Sequence, residues 1–319
     1  MNARFVLFLI LLLFSYTPTC LFGNALDGKQ RIVFIVNPIS HEIKGLDIRR
    51  IIEENLDSKQ FEYKIVYTQY AQHATKLAQD ALLDSTDIIA AVGGDGTVNE
   101  VGRALVNTKA VLAIIPVGSG NGLARHLGIP VGLTQAIKAL NQAHPIVIDT
   151  AKINDKTFLG VAGIGFDAHI AHKFAQVGKR GSFSYYQVAL SEFSRYEPKS
   201  YRITIDGKQI IRKAFVLTFA NSSQYGNDFI IAPKARISDG YLDLVILDDI
   251  PGYSIPQFIY KFRQGTLDRS HHFETHRFRE ITIHHPYLQA HIDGEPILFQ
   301  NAIKVTIQPK SLKILVPKK

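Results

Sequence analysis

Residues 87–126 carry one pattern twice, and few folds accommodate it. Asp87-Ile88-Ile89-Ala90-Ala91-Val92 is an apolar run of strand length, too short and too abruptly ended for a helix. Gly93-Gly94-Asp95-Gly96 then turns the backbone, and its glycines let main-chain N–H groups come close to a ligand. From Thr97 onward, Val98, Val101, Leu105 and Val106 recur at helical spacing. The second copy runs from an apolar strand at 111–115 through Pro116-Val117-Gly118-Ser119-Gly120-Asn121-Gly122 into a helix from Leu123. A glycine turn that opens a helix offers unpaired amides and the positive end of the helix dipole, which attract phosphate. Two such turns at neighbouring strand ends predict a phosphate-sized crevice in an open α/β sheet. Either turn alone reads equally well as an ordinary βα connection. The pair, with a carboxylate inside the first, points to function.

The flanking chain alternates in the same way, with strands predicted at 32–36 and 61–67 and helices at 46–56, 71–83 and 133–140. Such alternation implies a mainly parallel sheet with helical crossovers. Asn37-Pro38-Ile39-Ser40 and Thr68 fall just past strand ends, on the rim where ligands bind, although each also reads as a turn or capping residue. Near residue 144 the texture changes. Alternating or β-branched runs at 147–153, 158–164, 201–206, 210–220, 241–247 and 280–284, with Asp-Gly turns between several of them, predict a mainly antiparallel β-sandwich. Helical stretches at 168–175 and 183–193 interrupt it, and strands at 303–307 and 312–316 end the chain.

A chain of 319 residues is long enough for two domains of the usual ~100–200 residues. With 46% hydrophobic and 20% charged residues it has a globular composition. Its single cysteine, Cys20, excludes an internal disulfide and suits a reducing interior. A net charge of +8 favours an anionic partner. Much of the excess is local, since residues 171–213 hold nine Lys/Arg against three acids. Nucleic acid and an acidic lipid surface both fit such charge, but no nucleic-acid-binding motif is present. Peripheral contact with an anionic membrane is therefore expected, and no nucleic acid.

Residues 1–28 fit least well with the rest. Arg4 precedes an apolar run from Phe5 to Phe14 and then small residues, the pattern of a signal peptide. Extended to Phe22 it is marginal for a membrane span and is interrupted by Pro18. An uncleaved anchor facing the cytoplasm, true export, and a misplaced start codon all remain open, with the first and last favoured.

Gly93-Gly94-Asp95-Gly96-Thr97 with Asn99-Glu100, Gly118-Ser119-Gly120-Asn121, Asn37-Pro38-Ile39-Ser40 and Asp293-Gly294-Glu295 together resemble the diacylglycerol kinase and sphingosine kinase superfamily of lipid kinases. The resemblance spans about residues 31–319 in the order the family uses. GGDGT alone is shared with NAD kinases, whereas the four motifs in order are specific. The resemblance implies an N-terminal α/β domain like that of NAD kinases and phosphofructokinases, formed by 29–144 with 303–319. It implies a β-sandwich lipid-substrate domain over 145–302. It also implies transfer of the γ-phosphate of ATP, with Mg²⁺, to a hydroxyl of a membrane lipid at the cytoplasmic face of the membrane.

By the same resemblance, ATP would lie against Asn37, Pro38, Ser40, Thr68, Gly93, Gly94, Gly96, Thr97, Asn99, Glu100, Gly118, Ser119, Gly120 and Asn121. No P-loop GxxxxGK[ST] is present, so phosphate binding would rest on backbone amides. Asp95 would act near the transferred phosphate, through Mg²⁺ or as a base; as a residue alone it is equally well an N-cap for the helix that follows. Glu295 resembles the proton acceptor proposed for bacterial diacylglycerol kinases; on its own, Asp293-Gly294-Glu295 is a hairpin with a solvated Glu. Asp239, with the carbonyls of Arg236 and Tyr241, resembles a structural Mg²⁺ site of bacterial members; a turn without metal reads nearly as well.

Two departures matter. His41 stands where the family usually has Gly, and Gly122 where many bacterial members have aspartate, so a carboxylate relay would lose one member while Asp149 remains available. The acceptor is open between diacylglycerol and a sphingoid or ceramide-like lipid. A NAD kinase-like small-molecule kinase and a non-catalytic lipid-binding regulatory module are the rival readings, and a homodimer is left open.

Three further features carry less. Gly163-Ile164-Gly165-Phe166-Asp167-Ala168 matches GxGxxA, without the acidic residue a dinucleotide site needs further on. Six of twelve histidines crowd into 271–291, which reads as a polar β surface rather than a metal site. Phe183, Tyr185, Tyr186, Phe193, Arg195 and Tyr196 mix aromatic and basic character, for a helix that either touches a bilayer or packs on its own domain.

Overall fold

The structure, a computed structural model, describes residues 28–177 and 182–318. The predicted leader, apart from its last residue, lies outside the described residues. In the first half, strands β1 (Gln30–Val36), β2 (Phe61–Tyr67), β3 (Ile88–Gly93) and β4 (Val111–Pro116) alternate with helices α1 (Ile48–Asn55), α2 (His73–Leu83), α3 (Asp95–Leu105), α4 (Gly122–His126) and α5 (Leu133–Leu140). The strands are all parallel in the order β2-β1-β3-β4. Strand β3 is buried throughout. Ile88, Ala90 and Val92 pack toward Ile52 of α1 and Ile137 of α5, while Ile89 and Ala91 meet Ala78 of α2 and Val101 of α3. Burial on both faces is why this strand reads as one continuous apolar run. Helix α1 starts two residues later than expected because the Asp47 carboxylate accepts from the Arg50 N–H and caps it there.

The second half is antiparallel and β-rich. It comprises β5 (His144–Ile153), β6 (Lys156–Phe158), β7 (Val161–Gly165), α6 (Phe166–Val177), α7 (Ser182–Phe193), β8 (Lys199–Ile205), β9 (Lys208–Ala214) and β10 (Val216–Ala220). Beyond these come β11 (Gln224–Gly226), β12 (Phe229–Ile230), β13 (Leu242–Leu247), α8 (Ile255–Arg263), β14 (Phe273–Phe278), β15 (Glu280–Ile292) and β16 (Glu295–Val316). Strands β14-β13-β10-β7-β15-β16 pair antiparallel in that order, and the β8–β9 hairpin adds to β15. Phe158, Phe219, Phe278 and Ile281 fill the core beneath them, each contributing about 1.5–3 kcal/mol of burial.

Strand β16 ties the halves together. It pairs with β15 along its first part, then places Lys313 and Ile314 parallel to Val111 and Leu112 of β4. Strand β5 follows it antiparallel from one half into the other. The two strands expected at 303–307 and 312–316 are thus one, interrupted by a register shift between Gln308 and Leu312. There the Ser311 hydroxyl donates to the Gln308 carbonyl and accepts from the Thr150 N–H. Conversely, the runs expected at 158–164 and 210–220 are each split. The first breaks at Leu159-Gly160, and the second at Phe215, where the chain leaves β8 and joins β13. Helix α8 and strand β14 were not expected.

Candidate active site

The two glycine turns meet backbone to backbone. Gly94 is extended and α3 begins at Asp95; a Cβ on Gly118 would collide with the Gly94 Cα. The second turn locks itself, since the Asn121 side chain accepts from the Gly118 N–H at 3.1 Å and donates to the Gly118 carbonyl at 2.6 Å. Asp95 joins the turns. Its carboxylate accepts from the N–H groups of Asn121 and Gly122, each at 2.8 Å. The capping role read for Asp95 is therefore filled on α4, in the neighbouring turn, rather than on its own helix. Burial pushes its pKa up to about 6, the two N–H bonds opposing and the charge of Asp293 adding to the rise.

Gly122 has a steric reason. A Cβ there would lie 2.9 Å from the Gln224 and Tyr225 backbone, because Asn121 bridges to Gly226 of β11. An aspartate at this position would have to displace that strand. Asp149 does not replace it, for its carboxylate accepts from the Gly240 and Lys310 N–H groups.

The Asp293-Gly294-Glu295 turn, with Asp293 at φ 47° and Gly294 at φ 87°, reaches α3 from the other half of the molecule. Asp293 accepts from the N–H groups of Leu159, Gly160 and Val161, each at 2.9 Å, and from the Asn99 amide at 2.6 Å. Those bonds explain the break between β6 and β7. Glu295 lies beside Gly96, where a Cβ would stand 2.8 Å from its Oε1. Surrounding protein raises its pKa, Glu100 and Asp293 adding to the rise and Arg103 opposing it. Asp95, Asp293 and Glu295 thus converge on the N-terminal turn of α3, where the helix dipole favours negative charge.

The other expected nucleotide contacts surround the same rim. Asn37 donates to the Thr97 hydroxyl at 3.2 Å, and its side-chain oxygen accepts from the Ile39 N–H. Pro38 and Ser40 continue that turn, the Ser40 N–H bonding to the Asn37 carbonyl. The Thr68 N–H bonds to the Val36 carbonyl, holding Thr68 at the end of β2. Glu100 is differently occupied: its carboxylate accepts from the Gln72 and Ala74 N–H groups and caps α2.

The expected magnesium ligands do not fit a metal as arranged. Asp239 is paired with the Arg277 guanidinium and accepts from the Tyr241 N–H, and that guanidinium stacks 4.4 Å from the Tyr241 ring. Arginine already supplies the positive charge, leaving no step to route through a cation here. The histidines of 271–291 do not converge either: His272 pairs with Asp248, His276 with Glu274 and His291 with Asp167. Among the described residues no cluster of three or more His, Cys, Asp or Glu could hold a metal. In the GxGxxA segment, Gly163 makes room for the Asp167 carboxylate and His291 ring, which a Cβ would strike. Phe193 and Tyr196 pack against Phe166 and Phe215; the side chains of Phe183, Tyr185 and Tyr186 lie outside the described residues.

From this carboxylate cluster a cavity of about 690 Å³ runs between the halves. Asp95, Asn99, Ser119, Gly120, Asp293 and Gly294 line its polar end. Its walls are apolar, with Phe166, Phe174, Phe215, Phe258 and Phe262 among them. One polar island interrupts them, where Asp167 accepts from the Tyr225 hydroxyl at 2.8 Å and meets the His291 Nε2 at 3.0 Å. The sequence reading missed α8, which contributes Ile255, Phe258 and Phe262. Their spacing, after Ser254 and with Pro256 in the first turn, was the available signal.

Residues 31–153 match the diacylglycerol kinase catalytic domain, and residues 160–316 match the YegS C-terminal NAD kinase beta sandwich-like domain. The chain is 30% identical over 224 residues to the diacylglycerol kinase of Bacillus subtilis, covering 68% of this chain and 74% of that one. It is 27% identical over 256 residues to the diacylglycerol kinase of Mycobacterium tuberculosis, covering 78% and 82%. The crystal structure of a diacylglycerol kinase from Bacillus anthracis superposes with a TM-score of 0.68 at 21% identity, over 90% of this chain and 97% of that one. With both halves matched in order, and a relative of 30% identity covered over most of its length, the chain belongs to the diacylglycerol kinase family of lipid kinases.

Proposed function

We propose that the protein transfers the γ-phosphate of Mg-ATP to a hydroxyl of a membrane lipid, working at the cytoplasmic face of the membrane. The observation that carries this reading is the apolar cavity whose one polar end is the carboxylate cluster at the start of α3. A lipid can bury its chains against the phenylalanines and present its head at Asp95 and Asp293, next to the turn that carries Glu295; a nicotinamide dinucleotide has no use for such walls. The phosphates of ATP would rest on the amides of the two glycine turns and the N-terminus of α3. Magnesium bound with ATP would supply charge neutralisation at the phosphates, and Asp95 is the carboxylate that would hold it. Glu295 takes the proton of the attacking hydroxyl. Asp293 holds the turn that carries Glu295 against Asn99, so base and phosphate site stay in register.

The test is transfer from γ-labelled Mg-ATP to diacylglycerol, sphingoid base, ceramide and NAD⁺ offered in parallel, with Asp95→Asn beside the wild type. Labelled lipid that disappears in the variant supports the kinase and names its acceptor. Label on NAD⁺ overturns the lipid reading. ATP binding without label on any acceptor would make the protein a lipid-binding module.

A further inference from the structure

Helix α8 is unusual in that none of its residues is buried, although Ile255, Phe258, Ile259 and Phe262 are all apolar. Its inner face is accounted for, because Ile255, Phe258 and Phe262 line the cavity. Its outer face is not. Tyr260 is 65% exposed, Ile259 43%, and Tyr253 in the preceding turn 89%. Across the cavity on α7, Leu190 is 67% exposed. Leu190 and Ile259 both line the cavity and are exposed, so they mark its mouth. Apolar rims of this kind are rare on surfaces that meet only water. The charge around the mouth is favourable to an acidic surface. Arg263, which lines the cavity, is exposed, Arg195 just beyond α7 is exposed beside Glu192, and two of the three acids flanking α8, Asp248 and Asp268, are held by His272 and Lys234.

We infer that the outer face of α8, with Tyr253, Ile259 and Tyr260, together with Leu190 of α7, docks on an anionic phospholipid bilayer and sets the cavity mouth at the depth of the acyl chains. The inference rests on the lipid-acceptor reading for its purpose, since a cavity that opens into the bilayer receives its lipid without exposing the chains to water. Tyrosines at the rim suit the interface, with an apolar ring and a polar tip. Arginines at the rim meet the headgroups.

The chain contains no tryptophan, so a single Tyr260→Trp substitution in the full chain gives a unique fluorophore. It is mixed with vesicles of phosphatidylcholine containing phosphatidylglycerol, and with the same vesicles carrying brominated acyl chains. The expected result is a blue-shifted emission quenched by the brominated chains, and little change for Leu83→Trp on the exposed surface of α2. Unshifted emission from the Tyr260→Trp protein overturns the inference, whether that protein stays in solution or sediments with the vesicles through another segment. A Tyr253→Ser/Tyr260→Ser variant should lose about tenfold or more of its transfer to vesicle-borne diacylglycerol, as two apolar contacts removed from a bilayer imply. It should keep its rate on monomeric dioctanoylglycerol; equal rates on vesicles would also overturn docking. Quenching of the introduced indole without any phosphorylated lipid would retain the docking face and remove the kinase reading. Phosphorylation without quenching would do the reverse.

Discussion

At the residue scale, Asp95 serves two ends with one carboxylate: it caps α4 through the Asn121 and Gly122 N–H groups and lines the polar end of the cavity, where the proposed reaction places the phosphates. Its pKa, raised from 3.8 to about 6, makes the acid limb of catalysis visible. Because the ionised form is needed both for capping and beside the phosphates, kcat/KM should rise with pH up to about 6 and then level off; a profile flat from pH 5 to 8 would contradict this. The stability linkage has the opposite sense. A carboxyl with a raised folded pKa holds its proton in the native state while the unfolded chain has lost it, so this group's contribution falls as pH rises from about 3.8 through about 6. Glu295 offers a second test. Glu295→Gln should lower kcat by about 10²–10⁴-fold with the KM for ATP little changed. A change in kcat of less than about twofold would return Glu295 to a solvated hairpin residue. The sequence alone left both readings open for each carboxylate, since a cap and a catalytic acid look alike until the partner N–H groups are placed.

At the element scale, the paired strand–turn–helix units work because their turns touch. Gly118→Ala would drive a Cβ into Gly94 and separate them, costing about 1–3 kcal/mol as overpacking. Its expected signature is weakened ATP binding together with a lower Tm; unchanged values of both would mean the turns are not in contact. These turns were legible in the sequence because every residue that defines them is local. What was not legible depends on distant partners. Gly122 looked like a lost aspartate, and only the Gln224–Tyr225 backbone, about a hundred residues away, explains it. The break at Leu159-Gly160 needs the Asp293 carboxylate, and the length of β16 needs three separate neighbours. The magnesium site suggested by Asp239 required knowing that Arg277, on β14, occupies the carboxylate.

At the scale of the whole molecule, β5 and β16 run through both halves and tie them together. Alternation of strands and helices, then of short strands, announced the two architectures; the cavity was not announced, because its walls come from α6, α7, α8 and β10, each of which alone reads as ordinary core. Ala171 of α6 lines that cavity and is itself nearly buried. The most direct measurement is γ-phosphate transfer to long-chain diacylglycerol by the wild type and Ala171→Trp, with ATP binding followed in both. An indole in the cavity should cut transfer by about a hundredfold or more while ATP binds as before, the pattern of a blocked acceptor site. Equal transfer by the two proteins, or none by the wild type with any lipid offered, would contradict the account.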